Sequence, residues 1–171
     1  MNEQDEVDRI LAEWAAARPD LDIAPLAVFS RMTRITKHLD RARVHAFERS
    51  GLAAWEFDVL AVLRRNGSPY RLSPKILVQQ TMVSSGTMTN RIDRMVDRDL
   101  VRRLTDPNDG RGVLVEMTEQ GQTLVDAAMT RLADAEERLI GGMPRVERER
   151  LAALLRKLAL SVDRFSPIEE D

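Results

Sequence analysis

A chain of 171 residues, 43% hydrophobic and 32% charged, suits one globular domain or one core with helical extensions. It holds no cysteine and two histidines, which excludes disulfides and thiolate chemistry and leaves too few ligands for a histidine-built zinc site, and no apolar run approaches the roughly 20 residues of a membrane span. The net charge of −2 is unevenly spread: residues 61–112 carry ten basic and five acidic side chains, a local +5, against −7 over the remainder.

The start, MNEQDEVDRI, is acidic and lacks the basic and apolar stretches of a signal peptide, so a cytoplasmic protein is expected. A helix is predicted over residues 3–17, with Ile10, Leu11 and Trp14 near one face. Pro19 and Pro25 bracket a short acidic linker. A long helix follows over residues 25–49, with an apolar stripe through Leu26, Phe29, Met32, Ile35, Thr36, Leu39 and Val44, and Gly51 closes it. His38 and His45 share a face of that helix; if the face is a dimer interface, their protonation below about pH 6.5 would loosen it. A third helix is predicted over Ala54–Arg65, then a turn at Asn66-Gly67-Ser68-Pro69. Ser73 and Pro74 supply a capping hydroxyl and a first-turn proline for a short helix reaching Gln80. The next helix covers residues 84–97. Residues 101–105 and 113–117 read as two strands of a hairpin joined by a turn rich in Asp, Pro, Asn and Gly. Thr118 caps a long helix to Ile140, and Gly141-Gly142 ends it. Pro144 opens a last helix to about residue 164, with a leucine-rich face at Leu151, Leu154, Leu155, Leu158 and Val162.

Helix, short helix, helix and hairpin in that order make a winged helix-turn-helix. The expected fold is mainly α with a small β-hairpin wing. Residues 52–117 form the winged helix-turn-helix core, flanked by N-terminal (1–50) and C-terminal (119–165) helices in a single domain over residues 1–171. The flanking apolar stripes exceed what a small winged-helix core needs. Intrachain packing is one reading of them. A homodimer interface is the favoured one, because two symmetric recognition helices can read a palindrome one helical turn apart.

On a helical wheel of residues 84–97, Met88, Ile92, Met95 and Val96 fall on one side. Thr87, Asn90 and Arg94 fall opposite, with Ser84, Gly86, Arg91 and Arg98 at the flanks. Small residues at the helix start allow close approach to a major groove. Hydroxyls bond phosphates or base edges, and Asn and Arg offer bidentate geometry to adenine and guanine. Arg94 and Arg98 suit phosphates, which position a helix without specifying sequence. Arg111 at the hairpin tip suits the minor groove, and Asp109 is placed to hold its guanidinium. Each residue alone also fits a solvated face or an exposed ion pair. The helix followed at once by a basic-tipped hairpin, inside the +5 segment, favours double-stranded DNA.

Leu72-Ser73-Pro74, Ser84 with Gly86-Thr87-Met88-Thr89, Asp106 with Asp109-Gly110-Arg111, and then Val115, Thr118 and Gly121 together resemble the MarR family of bacterial transcription regulators. Asn108 departs from the pattern, since the family often has arginine there. The extra N-terminal helix, VDRILAEW followed by ARPDLDIAPLAV, resembles the urate-responsive (HucR/PecS-like) branch. That resemblance implies a repressor released from DNA by a purine such as urate or xanthine, with Trp14, Asp58, Arg91 and Arg103 at the ligand site. A planar anion suits a tryptophan face and paired arginine donors. Asp58 would pair with an arginine in the empty state and repel the arriving anion. Taken singly, Trp14 also reads as a core residue, Asp58 as a first-turn acid favoured by the helix dipole, and the two arginines as phosphate contacts.

A phenolic or aromatic acid is the second ligand class, and a protein-interaction module without DNA readout is the competing function. An enzyme is not expected: paired carboxylates, an activated nucleophile, a glycine-rich phosphate loop and a metal cluster are all missing from the pattern. No cofactor is expected.

Overall fold

Asp5 starts the first helix. Its carboxylate accepts from the Asp8 backbone N–H, and the Asp8 carboxylate accepts from the Asp5 N–H, a reciprocal cap on α1 (Glu6–Ala17). The computed structural model describes residues 4–107 and 109–164, at Gly110 and Arg111 the backbone alone. The remaining helices are α2 (Ala24–Glu48), α3 (Ala54–Arg65), α4 (Pro74–Thr81), α5 (Ser85–Asp97), α6 (Glu119–Ile140) and α7 (Arg145–Val162). Three strands, β1 (Arg71–Leu72), β2 (Val101–Asp106) and β3 (Asp109–Met117), form an antiparallel sheet in the order β1-β3-β2.

Most boundaries fall where a local signal puts them. Gly51 takes a φ of +73° after α2, where a side chain would be strained. Pro74 opens α4, and Thr118 caps α6 by accepting from the Gly121 N–H at 3.0 Å. Three details differ from expectation. Ser73 holds the N-cap position of α4 but makes no capping bond through its side chain. The hairpin expected with two strands has a third, β1, which pairs Arg71 with Glu116 and Leu72 with Val115. The strand expected to begin at Val113 begins at Asp109, with a register shift between Thr105 and Asp106. Gly112 allows that tight return, since a Cβ there would meet the Asp106 Cβ at 2.9 Å.

The core sits inside the winged-helix unit. Leu60 and Leu63 of α3, Leu77 of α4, Met88, Ile92 and Met95 of α5, and Val115 of β3 are fully buried, and Val125 and Ala128 of α6 close over them. Phe47 at the end of α2 stacks on Phe57 of α3 with ring centroids 4.0 Å apart. Glu116 is buried on β3. Burial pushes its carboxyl up, but hydrogen bonds from Arg102 and Arg71 outweigh this and hold it below the ordinary range.

Outside this unit the helices are thinly covered. α7 has no buried residue, and Leu151, Leu154, Leu155, Leu160 and Val162 are exposed. On α2, Phe29, Ile35 and Val44 are exposed as well, Ile35 to 63%. α1 lies on α2 through buried Val7 and a set of ion pairs. Arg31 donates to Asp5 at 2.8 Å and Asp8 at 2.7 Å, and Arg34 meets Glu6. Among the described residues no helix is long and apolar enough to cross a membrane.

Candidate nucleic-acid interface

The turn between α4 and α5 passes through Met82, at φ +52° and 91% exposed, and sets α5 across the surface of the lobe. Ser84 is the N-cap of α5: its Oγ accepts from the Thr87 N–H at 3.2 Å and lies 2.9 Å from the Thr87 hydroxyl. Both hydroxyls, expected as DNA contacts, are therefore also committed to ordering the first turn. Gly86 follows with open space where a Cβ would sit, so the backbone there is bare.

Along α5 the two faces separate cleanly. Met88, Ile92 and Met95 are buried, while Thr87, Asn90 and Arg94 are exposed. Burial of the apolar face fixes the rotation of the helix, and the polar row points away by geometry. Arg91 and Arg94 both lie over the ring of Trp55, the second residue of α3, at 5.7 and 5.2 Å from its centroid. These residues with Thr87 and Asn90 line a shallow hollow of about 220 Å³. Two long cationic side chains are thus held against one aromatic surface on the face of the helix that points outward.

Arg98 and Arg103 are engaged elsewhere. Arg98, expected on phosphates, donates to both oxygens of the buried Glu56 carboxylate at 2.6 and 2.5 Å and to the Gly51 carbonyl at 2.8 Å. Glu56 in turn accepts from the Ala53 N–H at 2.8 Å and caps α3. Burying that carboxylate without a cation would be costly, so Arg98 is required inward as a tie between α5, α3 and the end of α2. Arg103 of β2 pairs with Asp93 of α5 at 2.6 Å, which binds the wing to α5.

Those pairs bear on the expected ligand set. The acid that holds an arginine at this junction is Asp93, whereas Asp58 forms no ion pair among the described residues. Trp14 is 48% exposed on α1, and the hollow beside Arg91 is walled by Trp55, not by Trp14, Asp58 or Arg103. Within one chain the four residues do not share that hollow. At the wing, Asp109 and the Arg111 backbone lie in β3. The Arg111 side chain, and with it the expected Asp109–Arg111 pairing, falls outside the described residues, as does Asn108. Trp55, Glu56 and Asp93 were missed from the sequence because each acts on a residue of another element; Glu56 and Arg98, 42 positions apart, carry no local trace of their pairing.

The wing is anchored behind this face. The Thr118 hydroxyl donates to the Asp99 carbonyl at 2.6 Å, and a Cβ at Gly121 would collide with the Leu100 carbonyl. Glycine there lets α6 begin directly against the end of α5.

Comparison with known proteins gives a consistent picture. The MarR family model matches residues 50–112. The chain is 35% identical over 150 residues to the HTH-type transcriptional regulator PecS of Dickeya dadantii, an alignment covering 88% of this chain and 90% of that protein. It is 29% identical to the HTH-type transcriptional repressor NicR of Pseudomonas putida, over 81% of this chain and 88% of that one. A solved structure of mutant MarR from E. coli complexed with operator DNA is 28% identical, with a TM-score of 0.65 over 80% of this chain and 94% of that chain.

Proposed function

The chain belongs to the MarR family of DNA-binding transcriptional regulators, and on that premise we propose that it is a homodimeric repressor reading a palindromic operator through α5 and the wing. The observation that carries this reading is the exposed row Thr87, Asn90 and Arg94, opposite a buried apolar face, with Arg91 and Arg94 held on Trp55. In this reading Asn90 and Arg94 meet base edges or phosphates, bare Gly86 lets the helix start approach the duplex, and Arg111 reaches the minor groove. The exposed apolar residues along α2 and α7 support the dimer, since a second copy covering them would remove that surface from water.

Fluorescence anisotropy tests it. The duplex from upstream of the chain's own coding region should bind more tightly than a scrambled duplex, and affinity should fall as salt rises. Arg94→Ala and Arg111→Ala should each weaken binding by about 5- to 150-fold. Equal affinity for both duplexes would contradict operator recognition.

The ligand is a separate proposal, drawn from the resemblance of the N-terminal helix to the urate-responsive branch. We assign release from DNA to a small anionic aromatic molecule, urate or xanthine being the first to try, at Trp14, Asp58, Arg91 and Arg103. Supporting it are the half-exposed Trp14 indole, Arg91 on the flank of α5 against Trp55, and Arg103 at the junction of α5 with the wing. An anion drawing Arg103 from Asp93 would disturb the tie between the two reading elements. Urate should therefore weaken the DNA complex, and Trp14→Phe or Arg91→Ala should blunt the effect. No change at millimolar urate would remove this ligand and leave the DNA reading standing; release by a phenolic acid instead would move the assignment to that class.

A further inference from the structure

We propose that the cleft between α2 and α6 binds a small polyanion, a molecule carrying two or more phosphate or carboxylate groups. The cleft is a cavity of about 560 Å³, distinct from the face presented by α5 and from the four residues assigned to the aromatic ligand. Arg41, His45 and Arg49 recur every fourth residue along α2 and form one stripe. Arg131 and Arg138, seven apart on α6, face them. Ala42, Ala46 and Ala135 lie between the stripes and leave the space open instead of filling it.

The charges in this cleft are unmatched. Asp134 is the single acid on its described walls, and none of the four arginines makes an ion pair among the described residues. Arg131 instead donates to the Ser50 hydroxyl at 3.1 Å. Arg31, Arg64, Arg98 and Arg103 are each answered by a carboxylate, and Arg91 and Arg94 rest on the Trp55 ring, whereas this cleft gathers four arginines with one acid. Four guanidiniums facing one another across a cleft repel, and a bound polyanion cancels that repulsion. Each guanidinium also offers paired donors to a phosphate or carboxylate. The stripe from Arg41 to Arg49 spans about 12 Å at 1.5 Å per residue, too far for one anionic group to engage both ends. All five basic side chains are exposed, so a ligand reaches them without an opening motion.

Isothermal titration of the full chain with inorganic tripolyphosphate, at constant ionic strength, tests this. Saturable binding of one molecule per chain is expected, with monophosphate binding far more weakly. Arg41→Gln/Arg138→Gln should weaken tripolyphosphate binding by at least about tenfold, and Arg150→Gln/Arg156→Gln, which removes the same charge from α7, should leave it unchanged. Ala42→Glu should abolish binding and raise Tm, because it gives the arginines an internal partner. Absence of saturable binding overturns the proposal, as does equal loss in the α7 variant. Loss in Arg94→Gln alone places the anion on the DNA face and overturns it too.

Discussion

Trp55 and Glu56 are neighbours in the first turn of α3, and each holds an arginine of α5 or its C-cap in a different way. Trp55 provides the surface on which Arg91 and Arg94 rest, so in the proposed DNA contact the Arg94 side chain surrenders less rotamer freedom. Trp55→Leu should weaken operator binding by about 3- to 30-fold, in line with a cation–π contribution of roughly 0.5–2 kcal/mol, and Trp55→Phe should recover most of it. Anisotropy at fixed salt decides this, and equal losses in both variants would mean the ring acts only as packing. Glu56 is fully buried and depends on Arg98 for its charge partner. Arg98→Ala should cost about 3 kcal/mol of unfolding free energy, measured by urea titration, because it strands that carboxylate. A loss of DNA affinity in Arg98→Ala without loss of stability would return Arg98 to the phosphate role expected from its position on the wheel.

At the scale of elements, α1 is attached to α2 by buried Val7 and by a set of ion pairs. The Arg31 guanidinium hydrogen-bonds the Asp5 carboxyl and holds its pKa at about 2, below the ordinary 3.8. A depressed folded pKa means the contribution is complete above the ordinary value and is lost as pH falls from 3.8 toward about 2. Pepsin cleavage within residues 6–17, normalised to an unstructured peptide, should accelerate across that window, and Asp5→Asn should make the segment sensitive already at its upper end. A rate indifferent to both would show that Val7 packing alone retains the helix. At the other end of the lobe, Gly121→Ala forces a Cβ into the Leu100 carbonyl and should cost about 1–3 kcal/mol. Helix limits were largely legible in the sequence because caps are local: Gly51, Pro74, Ser84, Thr118 and Pro144 each stand at an observed end. β1 was not legible, since two residues carry no alternation. Nor were the pairs Arg98–Glu56 and Arg103–Asp93, whose partners lie on different elements. The face of α5 was readable from period alone; what its flanking arginines touch was not.

For the whole molecule, the winged-helix lobe has its own core, while α2 and α7 expose apolar faces that a second copy would cover. Leu154→Glu/Leu155→Glu should shift sedimentation from dimer to monomer and sharply reduce operator affinity, because two half-sites are then no longer held together. An unchanged dimer would place the interface elsewhere. Whether α5 faces a duplex is tested directly by hydroxyl-radical footprinting on the upstream DNA. It should show two protected half-sites about 10 base pairs apart, related by a palindrome, with protection lost at both in Asn90→Ala/Arg94→Ala. Protection that survives the double substitution, or no protected palindrome at all, would contradict the assignment of α5 as the reading helix.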